Sequence, residues 1–171
     1  RDPVFRRLYH APRLLEALNA VLGETSIIYA YTSSSMPPNG DNYSGRVHVD
    51  SPRIIPGYPT NAGIIVALDD FTEDNGATYF LPNSLEREDQ PSKDEFFAGA
   101  ERAFPKRGDL VIFNARTWHY GGMNTTETWR HAVTINACRS FMRQRFDYAR
   151  MTPPELASDL TEVDRRLLGF N

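Results

Sequence analysis

The sequence predicts a mainly β domain, an antiparallel sandwich or barrel with helices placed mostly towards its ends. Short runs rich in β-branched and aromatic residues recur between turns that contain Gly and Pro. The last long run alternates polar and apolar residues, as a strand with one face turned inward does. Helical periodicity does not alternate regularly with these runs, which disfavours a parallel βα architecture. With 171 residues, the chain is long enough for one domain with a real core and short for two.

Residues 12–22 are expected to be helical. Pro12 suits a first helical position, Leu14, Leu15, Leu18, Val21 and Leu22 fall on one stripe, and Gly23 is placed to end it. Thr25–Thr32 reads as a strand. Ser33–Gly45 reads as a polar loop, broken by Pro37-Pro38-Asn39-Gly40 and long enough for a mobile lid. Arg46–Asp50 is a strand end stopped by Ser51-Pro52. Ala62–Leu68 is a continuous apolar run of strand length, which predicts cover on both faces. A turn with Asn75-Gly76 leads to a short strand over 78–81. Residues 91–103 read as a helix, 110–114 as a strand, 120–128 as a Gly-rich turn and 130–141 as the last strand. Two short helices are expected near 153–160 and 161–168. On the last strand Arg130, Ala132, Thr134 and Asn136 share one face, while Val133, Ile135 and Ala137 share the other. The polar set is expected to line a cavity and the apolar set to meet covering helices.

A net charge of −3 argues against a nucleic-acid or anionic-membrane surface, since both call for a basic patch. No apolar run approaches the ~20 residues of a membrane helix. The single cysteine, Cys138, cannot form an internal disulfide, which fits a reducing compartment such as the cytoplasm. A small-molecule partner is expected; oligomeric state is not readable.

Chemistry enters at His48-Val49-Asp50. One intervening residue on an extended backbone sends both side chains to the same face. One imidazole and one carboxylate are two-thirds of a 2-His-1-carboxylate site, which suits ferrous iron and leaves coordination positions open. Taken alone, the pair reads equally as a hydrogen-bonded strand end. His119 lies 71 residues further on, just past the strand at 110–114, and Arg130 follows it by eleven. A guanidinium inside a barrel needs an anionic partner, and its fork matches a carboxylate; a surface ion pair is the other reading.

Taken together, His48, Asp50, His119 and Arg130 resemble the pattern of the phytanoyl-CoA dioxygenase family of iron(II)/2-oxoglutarate-dependent oxygenases. The resemblance extends to Ala67-Leu68-Asp69-Asp70, Asn75-Gly76-Ala77-Thr78, Leu81-Pro82, and Gly108–Phe113 leading into Trp118-His119. It implies a double-stranded β-helix (jelly roll, cupin-like) with flanking helices and iron(II) held by His48, Asp50 and His119. It further implies that Arg130 and Thr78 bind 2-oxoglutarate, and that O2 serves to hydroxylate or desaturate a small organic substrate with release of succinate and CO2. The chain departs from the family at Pro82-Asn83-Ser84-Leu85, where Pro-Gly-Ser-His is common, and at Arg46, where Gln is frequent. The region that usually precedes the first helix is largely absent, and residue 1 is Arg, so a trimmed N-terminus is expected. Arg46, Tyr31 and Trp118 are the candidates on the substrate side. The arginines after 139 are expected to form a solvated face. The alternative function is a cupin-like metal-binding barrel without oxygenase activity, an isomerase or a sensor.

Overall fold

A computed structural model describes residues 3–170. Seven strands form two antiparallel sheets. The larger has the order β1 (Ile27–Ser33), β7 (Ala132–Cys138), β2 (Asn61–Ala67), β5 (Leu110–Asn114). The smaller has the order β4 (Glu101–Arg102), β3 (Thr78–Phe80), β6 (His119–Gly121). Six helices complete the described chain: α1 (Pro3–Tyr9), α2 (Pro12–Leu22), α3 (Lys93–Gly99), α4 (Tyr148–Met151), α5 (Pro154–Ala157) and α6 (Glu162–Leu168). None is long and apolar enough to cross a membrane.

The period-2 and period-3.6 patterns meet in the main core. Leu14, Leu18 and Leu22 of α2 pack on Val133, Ile135 and Ala137 of β7 and on Ile64 and Val66 of β2. The opposite faces of the same strands supply Ile65, Ala67 and Ala132 to a second cluster with Phe71 and Ala77, which fills the space between the sheets. Every residue of β2 is therefore buried, as its unbroken apolar run requires. A third cluster, Val47, Phe96 and Trp118, closes the outer face of the smaller sheet under α3.

Two expectations are corrected. The helical reading of 91–103 overruns: α3 begins at a capping box made by Ser92 and Glu95 and stops at Gly99. Glu101 and Arg102 then pair with Phe80 and Tyr79, and the Ala103 N–H donates to Thr78 O at 2.9 Å. The backbone needs of an edge strand override local propensity there. The segment 33–45 is tied down rather than a free lid. Met36 and Arg130 exchange backbone hydrogen bonds at 2.8 and 3.1 Å, and Gly40 and Asn124 exchange two at 2.8 Å. Asn124 is fully buried; its Nδ2 donates to Pro37 O and Thr128 O while its Oδ1 accepts from Thr126. One side chain thus stitches the Gly-rich turn to this segment.

The described ends of the chain are joined by Asp164, fully buried at the third position of α6. Its carboxylate accepts from Arg6, from Tyr9 Oη at 3.0 Å, and from the hydroxyl and N–H of Thr161 at 2.6 and 2.8 Å. His10 Nε2 lies 2.6 Å away. Burial alone would push this carboxyl up, but the hydrogen bonds from Arg6, Thr161 and His10 outweigh it and hold it well below the usual carboxylate range. The unfolded chain therefore takes up the proton first on acidification. The clamp's stability is present above about pH 4, the ordinary carboxylate value, and is lost as pH falls below it. Asp164→Asn should cost about 1–3 kcal/mol in urea titrations at neutral pH and should blunt the acid-induced loss seen with the parent chain.

Candidate active site

His48 stands opposite His119, the first residue of β6. Their backbones exchange hydrogen bonds at 3.0 and 2.9 Å, which makes 48 an extended position beside the smaller sheet. The N–H groups of Asp50 and Ser51 both donate to Ala115 O, at 2.9 and 3.0 Å, so the chain is held two residues later as well. His48 Nε2 lies 3.6 Å from Asp50 Oδ1, and His119 Nε2 lies 3.9 Å from the same oxygen. The two imidazole centroids are 4.1 Å apart, and the three donor atoms all fall within 4.8 Å of one another.

Each ring is oriented from behind. His48 Nδ1 is 2.7 Å from Arg46 O and His119 Nδ1 is 2.9 Å from Thr117 O, so each donates its N–H to a carbonyl and turns the Nε2 lone pair towards Asp50. Burial, and then the proximity of His48, push His119 down to about 4, which keeps it neutral at ordinary pH. Nδ1–H fixed on a carbonyl with Nε2 presented is the arrangement of metal-binding histidines. Asp50 has a support of its own: Asn136 Nδ2 donates to its Oδ2 at 3.4 Å, and Asn136 in turn accepts from Asn61 at 3.1 Å. Two nitrogens and one carboxylate on one side of a common point make a donor set suited to ferrous iron.

The triad lies in the wall of a cavity of about 490 Å³, within the range of small-molecule sites. Thr134 and Asn136 line it from the polar face of β7, as the alternation predicts, and buried Thr78 lines it from β3. Arg46 also reaches it. Phe113 forms part of the floor and touches the His119 ring edge-on at 5.0 Å. It lies directly over Gly63, its cross-strand partner, where a Cβ would come within 2.3 Å of the ring.

Arg130 is buried between the sheets, not on the cavity surface. Its Nη1 donates to Ser34 O at 3.0 Å, its Nη2 to Gly76 O at 3.1 Å and its Nε to Asn75 O at 3.4 Å, with Phe71 4.0 Å beneath the guanidinium. No carboxylate forms an ion pair with it among the described residues. Burial lowers it to about 10, so it stays charged. Two of its five N–H groups have no protein acceptor. Ser34, one of its carbonyl partners, lines the cavity.

Tyr31 and Trp118 are not brought to the cavity. A β-bulge between Ile28 and Ala30 puts Tyr29 and Ala30 on the cavity wall and turns Tyr31 towards the helices. There it packs edge-on to Tyr9 and donates to Phe5 O at 2.8 Å. Trp118 faces outward from β6 into the cluster with Val47 and Phe96, and its Nε1 donates to Arg87 O at 3.1 Å. Of the late arginines, Arg143, Arg145 and Arg150 are exposed, as expected, while Arg139 is half-buried. Arg139 lies 3.7 Å over the Tyr58 ring and donates to Pro59 O and Leu22 O. Arg145 joins the cavity wall with Phe146, because its backbone N–H donates to Tyr29 O at 3.0 Å and folds the chain back over β1. No local pattern signals that return. The inward alternation of β7 did signal Asn136.

Comparison with known proteins bears on this geometry. The sequence profile described as phytanoyl-CoA dioxygenase (PhyH) matches residues 1–132, more than three-quarters of the chain. The chain belongs to the phytanoyl-CoA dioxygenase family. Among relatives of this PhyH chain, an uncharacterised protein of Mycobacterium tuberculosis is 31% identical over 99% of the chain and 64% of its own length. The chain thus spans less than two-thirds of that relative. Dioxygenase af480 of Aspergillus fumigatus is 24% identical over 99% of the chain and 56% of its own length. Among solved structures, EctD from S. alaskensis with 2-oxoglutarate and 5-hydroxyectoine superposes with a TM-score of 0.72 at 19% identity, covering 85% of this chain and 55% of that one. The non-heme monooxygenase ThoJ superposes at 0.67 with 24% identity, covering 79% and 55%. These two likenesses are likenesses of fold.

Gly63→Ala tests the floor of the site. The methyl must displace the Phe113 ring, so the variant should lose about 1–3 kcal/mol of stability. The His119 imidazole, deprived of its edge contact, should show altered ring chemical shifts in NMR spectra of the folded protein.

Proposed function

We propose that this chain is an iron(II)- and 2-oxoglutarate-dependent dioxygenase that hydroxylates or desaturates a small organic substrate. The observation that carries the reading is the convergence of His48, Asp50 and His119, with both Nε2 atoms facing one carboxylate oxygen and both Nδ1 atoms on backbone carbonyls. The family membership, the dioxygenase name of a relative and the iron and 2-oxoglutarate bound by EctD support it. The strand orders also support a double-stranded β-helix built as a single domain. With the His48 position counted beside β6, the smaller sheet becomes a second four-stranded partner for β1-β7-β2-β5.

Ferrous iron with chelated 2-oxoglutarate supplies oxidising power from O2, coupling loss of CO2 and formation of succinate to oxidation of a C–H bond. The chain's part is positional. His48 and His119 would hold the metal through Nε2 and Asp50 through a carboxylate oxygen, while Asn136 donates to the other oxygen of that carboxylate. Arg130, charged, with no carboxylate partner among the described residues and buried directly behind Ser34 of the cavity wall, would meet the far carboxylate of a dicarboxylic acid on that side of the cavity. Thr78 presents its hydroxyl from the wall nearby. Phe113 and Ile65 keep the floor apolar and limit water at the reacting centre.

Anaerobic addition of ferrous iron and 2-oxoglutarate should give the weak visible charge-transfer band of a chelated keto acid. Asp50→Ala and His119→Ala should abolish it while the proteins remain folded by circular dichroism. A folded parent protein that shows no band would overturn the proposal. Arg130→Met should leave iron binding in place and weaken 2-oxoglutarate by roughly 30-fold or more, the weight of a lost buried charge pair, read by titrating the same band.

A further inference from the structure

We infer that the substrate carries an anionic group, a carboxylate or a phosphate, recognised at the mouth of the cavity by Arg46 and Arg145; this rests on the dioxygenase reading above. The two arginines come from separate parts of the chain. Arg46 lies on the segment leading into His48, and Arg145 lies on the segment that returns over β1 after β7. Both are exposed, both line the cavity, and neither side chain has an acidic partner among the described residues. Arg145 makes only a loose contact with the Phe146 ring, 5.8 Å from its centroid. The one carboxylate on the cavity wall is Asp50, which belongs to the triad.

Charge balance turns this arrangement into a statement about the substrate. Ferrous iron brings two positive charges and Arg130 brings one. Asp50 and a 2-oxoglutarate dianion bring three negative charges. The groups in direct reach of the metal and its co-substrate would therefore cancel, and Arg46 and Arg145 add positive charge at the opening, where neither forms an ion pair among the described residues. A cleft rimmed by one sign of charge draws in ligands of the other. Guanidinium groups match carboxylate and phosphate oxygens in pairs. A cationic substrate would meet two repelling groups and a single carboxylate already committed to the metal. The remaining wall, with Tyr29, Tyr43 and Phe146 near the mouth and Ile65 and Phe113 deeper, offers an apolar and aromatic bed. The ligand described by this wall is an organic acid or phosphate ester whose carbon skeleton reaches the metal while its charge stays at the rim.

Arg46 can be changed without undoing the triad, because it orients His48 through its backbone carbonyl and not its side chain. The test uses the zinc(II)-loaded, 2-oxoglutarate-saturated protein, with inorganic phosphate and acetate as probes and acetamide as the neutral control. Arginine Nε–Hε signals are followed by NMR, assigned by their loss in Arg46→Gln and Arg145→Gln, with ionic strength matched by chloride. Saturable shifts of both signals with phosphate or acetate, absent with acetamide, are expected. The dissociation constant should rise about tenfold in each variant, the usual weight of a charge-assisted hydrogen bond. The stronger of the two probes identifies the anionic group. Shifts no larger than those with chloride, or affinities unchanged in both variants, overturn the inference. Calorimetry of 2-oxoglutarate binding on the same samples separates the two levels of the argument. If the co-substrate binds throughout and the probes do not, only the substrate class fails; if the co-substrate does not bind the parent protein, both readings fall.

Discussion

The pairing of His48 with His119 is the constraint on which the site depends. Two backbone hydrogen bonds exchanged between directly opposed residues fix their separation, and opposed residues of an antiparallel pair send their side chains to the same face. The spacing of the two imidazoles is thus inherited from sheet geometry, before any metal is considered. Asp50 follows two residues later on the same extended segment and is held by the hydrogen bonds to Ala115 O. Like-charged imidazoles at 4.1 Å could not both be protonated without repulsion. Burial, together with that proximity to His48, holds His119 in its neutral, metal-accepting form.

That pairing holds because the two sheets are pressed together by a well-filled interior. Phe80 and Phe113, one from each sheet, meet at 4.9 Å, and His119 lies against both. Gly63 makes the Phe113 position possible by leaving space where any side chain would stand. A strand buried on both faces, β2, then serves two purposes. Ile64 and Val66 bind the helical layer, while Gly63 and Ile65 shape the cavity. Rigidity on one side of the sheet is what allows precision on the other.

What the sequence made legible follows from how locally each feature is encoded. The helix 12–22 and the two faces of β7 are periodic, and the strand over 62–68 is an unbroken apolar run; such patterns survive without knowledge of the partner. His48, Asp50, His119 and Arg130 were legible as a spaced set of residue types, although only the fold brings them into one region. Features decided at a distance left no such trace. The bulge that turns Tyr31 away from the cavity depends on the register with β7, and the end of α3 depends on the edge of β3. The approach of Arg145 depends on one hydrogen bond to Tyr29 O. The Asp164 clamp joins residues more than 150 positions apart. Within α6 the same Asp164 completes a capping box with Thr161, so its local role gives no sign of the long-range one.

The arginines show how far burial, more than identity, decides what a charge can do. Arg130 gives up its hydration to three backbone carbonyls and an aromatic face, so it is held in one orientation and retains a full charge that those carbonyls only partly offset. Such a group is preorganised, and it discriminates strongly between an anion of the right reach and none. Arg46 and Arg145 remain exposed to solvent at the rim. They gain less from any single contact, and they act over longer range on whatever approaches. A buried, preoriented guanidinium is suited to an invariant co-substrate, and exposed, adaptable ones are suited to the variable ligand. The proposed division of labour between depth and mouth thus rests on the difference in solvation between three side chains of the same kind.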